Sequence, residues 1–159
     1  MMKLTMHAMT DVGIKRKHNE DCVGTTLSHG IAVLADGMGG YNAGEVASAM
    51  AVDIITDEIK AKVLKIPSAQ IDDETGFTGE SMLVRNAIRH ANDSIHDKAQ
   101  SNAKCAGMGT TVLVAVFYSD RITAAHVGYS RSEERREGKE GSTEGTTADQ
   151  RKANCVSVE

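Results

Sequence analysis

The chain is 159 residues long, enough for one domain with a substantial core. Its net charge of −4 gives no electrostatic footprint for nucleic acid, and no apolar run reaches the length of a membrane span. Aromatic residues are 3% of the chain and Trp is absent, so Val, Ile, Leu, Met and Ala must build the core.

The N-terminus lacks the apolar run of a signal peptide, so no leader is expected. Leu4, Met6 and Ala8 alternate with Thr5, His7 and Met9, which predicts a half-buried strand. Thr10 to Gly13 turns the chain. The polar stretch Lys15 to Asp21 leads into a second predicted strand, Cys22 to Leu27. Ser28-His29-Gly30 is a short link, and Ile31 to Ala35 is the third strand, so the two should form an antiparallel hairpin. Asp36 then stands at the strand's mouth, with Gly37, Gly39 and Gly40 turning the backbone.

Asn42 is a candidate helix cap, and Val46, Met50, Ile54, Ile55, Ile59 and Val63 recur at near-helical spacing through Lys65. Pro67 marks the end of that helix. Ser68 to Thr78 reads as a loop. A second helix runs from about Glu80 to Gln100, capped by Thr78, with Val84, Ile88, Ala91 and Ile95 on one face. Ala103 to Gly109 is a loop, Thr110 to Phe117 a central strand, and Ile122 to Val127 its antiparallel partner. Helices gathered in one block predict an α+β fold rather than alternating βαβ units. A single sheet would leave one face uncovered, so further layers are expected.

From Arg131 onward the composition changes. Val156 and Val158 are the only large apolar residues there, too few to offset the entropy of ordering, so disorder is expected over 131–159. Arg131 to Arg136, followed by Gly138-Lys139-Glu140, resembles translated sequencing-adapter DNA. The tail is therefore expected to be foreign to a domain spanning 1–130. Cys22, Cys105 and Cys155 are odd in number and have no C-x-x-C spacing, which argues against a zinc site or disulfide framework. A reducing, cytoplasmic setting fits them.

Two glycine motifs fail on detail. Gly37-Met38-Gly39 lacks the third glycine of a dinucleotide fingerprint, and Glu45 stands where a P-loop needs Lys. The acidic residues are more informative. Arg16, Asn19, Glu20 and Asp21 lead one strand of the hairpin, and Asp36 and Gly37 end the other, so antiparallel pairing brings both groups to one sheet edge. Clustered carboxylates repel unless protons or cations intervene, and oxygen donors suit a hard cation such as Mg²⁺ or Mn²⁺. Arg16 has the planar fork that suits a phosphate. Taken singly, Asp36-Gly37 also reads as a plain turn, and Arg16 to Asp21 as a solvated loop.

Four stretches together carry a resemblance. They are Arg16 to Asp21, Ala35 to Ser48, Gly107 to Thr111, and Val127 to Arg131. In this order and spacing the chain resembles the N-terminal half of a PPM-type (type 2C) metal-dependent Ser/Thr protein phosphatase of bacterial type. The resemblance implies part of an α-β-β-α sandwich, with antiparallel sheets flanked by helices. It implies that Asp36 bridges two Mn²⁺ or Mg²⁺ ions, that Gly37 ligates through its carbonyl, and that Glu20 and Asp21 hold metal-bound waters. It implies that Arg16 binds the substrate phosphate and that a bridging water attacks phosphorus. Phosphorylated Ser/Thr proteins of a cognate kinase are the implied partners.

The chain departs from the family pattern in three respects. Tyr129 stands in place of the Asp of Gly-Asp-Ser-Arg, Tyr41 occurs where bacterial members often carry His, and the C-terminal half with its further metal aspartates is missing. A truncated and inactive form is therefore expected, with a phosphatase-like interaction or regulatory module as the alternative.

Overall fold

A computed structural model of the chain describes residues 4–39, 43–67 and 70–128, and the backbone of 153–157. The elements in order are β1 (Asp21–Thr26), β2 (Ile31–Met38), α1 (Ala43–Lys62), α2 (Gly79–Ser101), β3 (Gly109–Thr110), β4 (Val112–Phe117), β5 (Ile122–Val127) and β6 (Ala153–Ser157). Among the described residues the strands form one six-stranded sheet in the order β1-β2-β4-β5-β6, with β3 also pairing with β2. All neighbours are antiparallel except β5 and β6. The fold is α+β, as expected.

The hairpin register runs from Asp21↔Asp36 to Thr26↔Ile31. Its short link works because Gly30 adopts φ +65°, and a side chain there would strike the Phe117 carbonyl. Alternation along the strands sends Ile31, Val33 and Ala35 of β2, and Val112, Val114 and Val116 of β4, to one buried face. Helix α1 covers that face over β1 and β2, and α2 packs beside α1 and reaches β5. Thr78 caps α2 as predicted, its hydroxyl accepting from the Ser81 N–H at 3.2 Å. Val84, Ile88, Ala91 and Ile95 are all buried, as their spacing predicts.

The buried stripe of α1 includes Ile55 and Ile59, with Val63 just beyond, as predicted, but departs from the prediction nearer its start. Ala43, Ala47, Ala51, Ile55 and Ile59 lie fully inside, whereas Val46, Met50 and Ile54 are only partly covered. Small residues face the sheet near the start of α1, where the backbones approach closely and a β-carbon on Gly37 would strike the Gly44 carbonyl. A β-carbon on Gly24 of β1 would sit 2.6 Å from Val52 Cγ1. The sequence pattern weighted large side chains, and the packing kept Ile55 and Ile59 but added the small residues Ala43, Ala47 and Ala51. The opposite sheet face is open: Leu34 is 41% exposed. Its neighbours by register are Val23 and Leu113.

Four expectations change. Residues 4–12 form no strand, because the alternation of Leu4 and Met6 meets no ladder partner among the described residues. Strand β2 continues to Met38, so Asp36 and Gly37 lie within it rather than in a turn. The expected strand from Thr110 to Phe117 is interrupted at Thr111. Ala153–Ser157, expected to lack structure, pairs in parallel with the otherwise open edge of β5. The predicted cap Asn42, the departures Tyr41 and Tyr129, and the tail residues 131–152, 158 and 159 lie outside the described residues.

Candidate functional site

The hairpin brings the two acidic groups together, as their sequence positions predict. Asp21 opens β1 and Asp36 lies near the end of β2, directly opposite each other. Both occupy the open side of the sheet, at its rim. Asp21 is oriented from behind: Asn19 Oδ1 accepts its N–H at 3.0 Å, and Asn19 Nδ2 donates to Thr10 Oγ1 at 2.9 Å. Burial pushes the Asp21 carboxyl above its ordinary value of 3.8. A hydrogen bond shared with Asp36 and the Asp36 charge add to the rise, Arg16 opposes it and Glu20 reinforces it.

Gly37 is buried and donates its N–H to the Glu20 carbonyl at 3.0 Å. Its glycine identity follows from crowding, not from the turn that the sequence predicts. A β-carbon there would strike the carbonyl of Gly44 and come within 2.7 Å of the Glu20 carbonyl. Gly44, in the first turn of α1, is crowded in the same way: its β-carbon would lie 2.6 Å from Glu20 Oε1. Glu20, Gly37 and Gly44 are thus wedged together, which places the Glu20 carboxylate against the start of α1. Arg16 reaches it from one turn earlier, with Nη1 3.8 Å from Glu20 Oε2, although its side chain is 65% exposed.

Asp36 is held on its other side by Thr111. The Thr111 N–H donates to the Asp36 carbonyl at 2.9 Å, and the Asp36 N–H donates to Thr111 Oγ1 at 3.3 Å. Thr111 was legible in sequence only as part of Gly107 to Thr111. Its link to Asp36 spans 75 positions and needs the fold.

The donors gathered here are oxygens: the carboxylates of Asp21, Asp36 and Glu20 and the carbonyls around Gly37. That set suits Mg²⁺ or Mn²⁺ and not a thiophilic metal. The wedge that only glycine permits at positions 37 and 44, and the facing carboxylates of Asp21 and Asp36, both fit a cation at this edge. Among the described residues, no three His, Cys, Asp or Glu side chains are grouped closely enough to hold a metal alone. Arg16 is near enough to serve the same edge.

A family model described as Protein phosphatase 2C matches residues 14–139. The chain is 36% identical over 131 residues to a serine/threonine phosphatase stp of Listeria monocytogenes, covering 79% of this chain and 48% of that protein. It is 36% identical over 130 residues to the protein phosphatase PhpP of Streptococcus pneumoniae, covering 77% and 47%. Among solved structures, it is similar to the catalytic domain of the serine/threonine protein phosphatase PstP in complex with two manganese ions. The TM-score is 0.61 at 30% identity, covering 76% of this chain and 46% of that one. The chain spans about half the length of these two curated relatives.

Proposed function

This chain belongs to the protein phosphatase 2C family, and from that membership we propose that its acidic sheet edge is part of a cation-dependent site for hydrolysing phosphoserine and phosphothreonine in proteins. The observation that carries the reading is the cross-strand pairing of Asp21 with Asp36 beside Gly37. Asp36, Asp21, Glu20 and the Gly37 carbonyl are the groups that would hold Mn²⁺ or Mg²⁺. When bound, such ions acidify water and neutralise phosphate charge.

Arg16 would grip the substrate phosphate through its planar fork. Its exposed pairing with Glu20 is weak enough for a phosphate to displace. Asn19 and the Glu20 backbone keep Asp21 and Gly37 in place while substrate exchanges. The substrates proposed are phosphorylated Ser/Thr proteins of an opposing kinase, which the phosphatase names of the relatives support. The free thiols of Cys22 and Cys105 support a cytoplasmic setting.

The incomplete grouping of acidic side chains among the described residues favours low activity for this chain by itself. Cation binding is then weak, because affinity for such ions follows the number and charge of the oxygen ligands. The same observation favours a second reading, a phosphatase-like module that binds without turnover. A Mn²⁺ titration followed by electron paramagnetic resonance, with p-nitrophenyl phosphate hydrolysis alongside, tests both. The proposed site gives saturable binding and slow Mn²⁺-dependent turnover, both lost in Asp36→Ala. Binding with no turnover selects the module. Fast turnover indifferent to Asp36→Ala overturns the site, as does no binding at millimolar Mn²⁺.

A further inference from the structure

Strand β2 pairs with β4 from Ile31↔Val116 to Leu34↔Leu113, and with β3 at Gly37↔Thr110 and Met38↔Gly109. Asp36 lies between these two ladders, opposite Thr111, the residue that separates β3 from β4. In a regular antiparallel pair, both bonds run from an amide to a carbonyl. Here the Thr111 N–H donates to the Asp36 carbonyl, but the return bond runs from the Asp36 N–H to the Thr111 hydroxyl. The Thr111 carbonyl accepts instead from the hydroxyl of Thr110 at 2.8 Å. A side-chain oxygen thus takes the place of a backbone carbonyl beside Asp36, a part that a short side chain with an oxygen acceptor can supply.

Gly128 supports the arrangement from the other side. It has φ +82°, and a β-carbon on it would come 3.0 Å from Thr111 Cγ2. Gly128, which follows the Val112↔Val127 pair of the β4–β5 hairpin, thus lies against Thr111.

We propose that Thr111 is a positioning residue that fixes Asp36 through its backbone, and that Gly128 leaves the room in which Thr111 is seated. This rests on the reading of Asp36 as a cation ligand. Thr111 plays its part through the backbone of Asp36. It sets how far the Asp36 carboxylate stands from Asp21 and from the Gly37 carbonyl. Groups that hold a ligand in place in this manner typically change metal affinity by about tenfold or more when removed.

The test is Mn²⁺ binding by the whole chain, read by electron paramagnetic resonance at a temperature where circular dichroism shows each variant folded. Thr111→Val keeps the shape and removes the hydroxyl, and is expected to weaken binding about tenfold. Thr111→Ser keeps the hydroxyl and should bind as the unaltered chain does. Thr123→Val, the same change at a buried β5 threonine remote from Asp36, should leave binding unchanged. Gly128→Ala should weaken binding, and less so in a Thr111→Ser background, where the crowded methyl is gone.

Equal binding by Thr111→Val and the unaltered chain overturns the inference and leaves the cation site standing. Equal losses in Thr111→Val and Thr123→Val reduce the effect to general stability and also overturn it. If Thr111→Val does not fold, the Gly128→Ala and Thr111→Ser pair decides: no coupling between them overturns it. No Mn²⁺ binding by the unaltered chain overturns the cation reading and this inference together.

Discussion

At Asp21 the demands of folding and of the site oppose each other. Its carboxyl is raised above 3.8, chiefly by burial and then by Asp36, so the folded chain retains a proton that the unfolded chain loses. The stabilising contribution is complete below the unfolded value and disappears as pH rises through the raised one. In a cation-free thermal denaturation series Asp21 should therefore contribute a fall in Tm as pH climbs from about 4, against the opposite trend from Glu58 and Asp72, whose carboxyls lie below their ordinary values. Asp21→Asn should flatten that fall and raise Tm at neutral pH, and added Mn²⁺ should raise the Tm of the unaltered chain more than that of the variant. Gly37 is constrained by volume. A methyl there meets two backbone carbonyls that have no side-chain freedom to yield. Gly37→Ala should destabilise the fold by about 1–3 kcal/mol in urea unfolding, with the Asp21–Asp36 register disturbed along with it.

Whole elements are tied together by a second charged group away from the acidic edge. Glu80, in the first turn of α2, is 2% exposed and accepts from Arg121 Nη2 at 2.6 Å. Arg121, just before β5, also pairs with Asp120 and lies 4.7 Å over the Tyr118 ring. This clamps the start of α2 to the β4–β5 hairpin. Arg121→Ala should cost about 3–5 kcal/mol in urea unfolding, because it leaves the buried Glu80 carboxylate without its guanidinium. Replacing both partners, Glu80→Leu with Arg121→Met, should recover most of that loss. Elements were unevenly legible in sequence. Helix α2 followed its spacing because a polar loop and a hydroxyl cap bound it locally. The buried stripe of α1 followed its spacing only from Ile55 onward, because closeness to Gly24 and Gly37 decides which residues fit nearer its start, and spacing carries no information about distance.

Among the described residues, the whole molecule is a sheet with helices on one face and an apolar surface on the other. Leu34 is 41% exposed there, beside Val23 and Leu113 in register, and Asp21 and Asp36 mark its rim. An apolar face of this kind promotes association. Sedimentation should show mass rising with concentration, and Leu34→Lys should suppress the rise with Tm little changed, since Leu34 contributes little to the buried face. By itself the sequence determined the hairpin, both helices, the α+β class and the meeting of Asp21 with Asp36. All of these follow from local periodicity, turn chemistry and the antiparallel reversal of a short link. Only the tertiary structure decided that Leu4 and Met6 form no strand, that Gly37 is needed for crowding within a strand, and that Thr111 holds Asp36. Each of these depends on which backbone lies next to which, and residues as far apart as Asp36 and Thr111 become neighbours only when β2 and β4 pair.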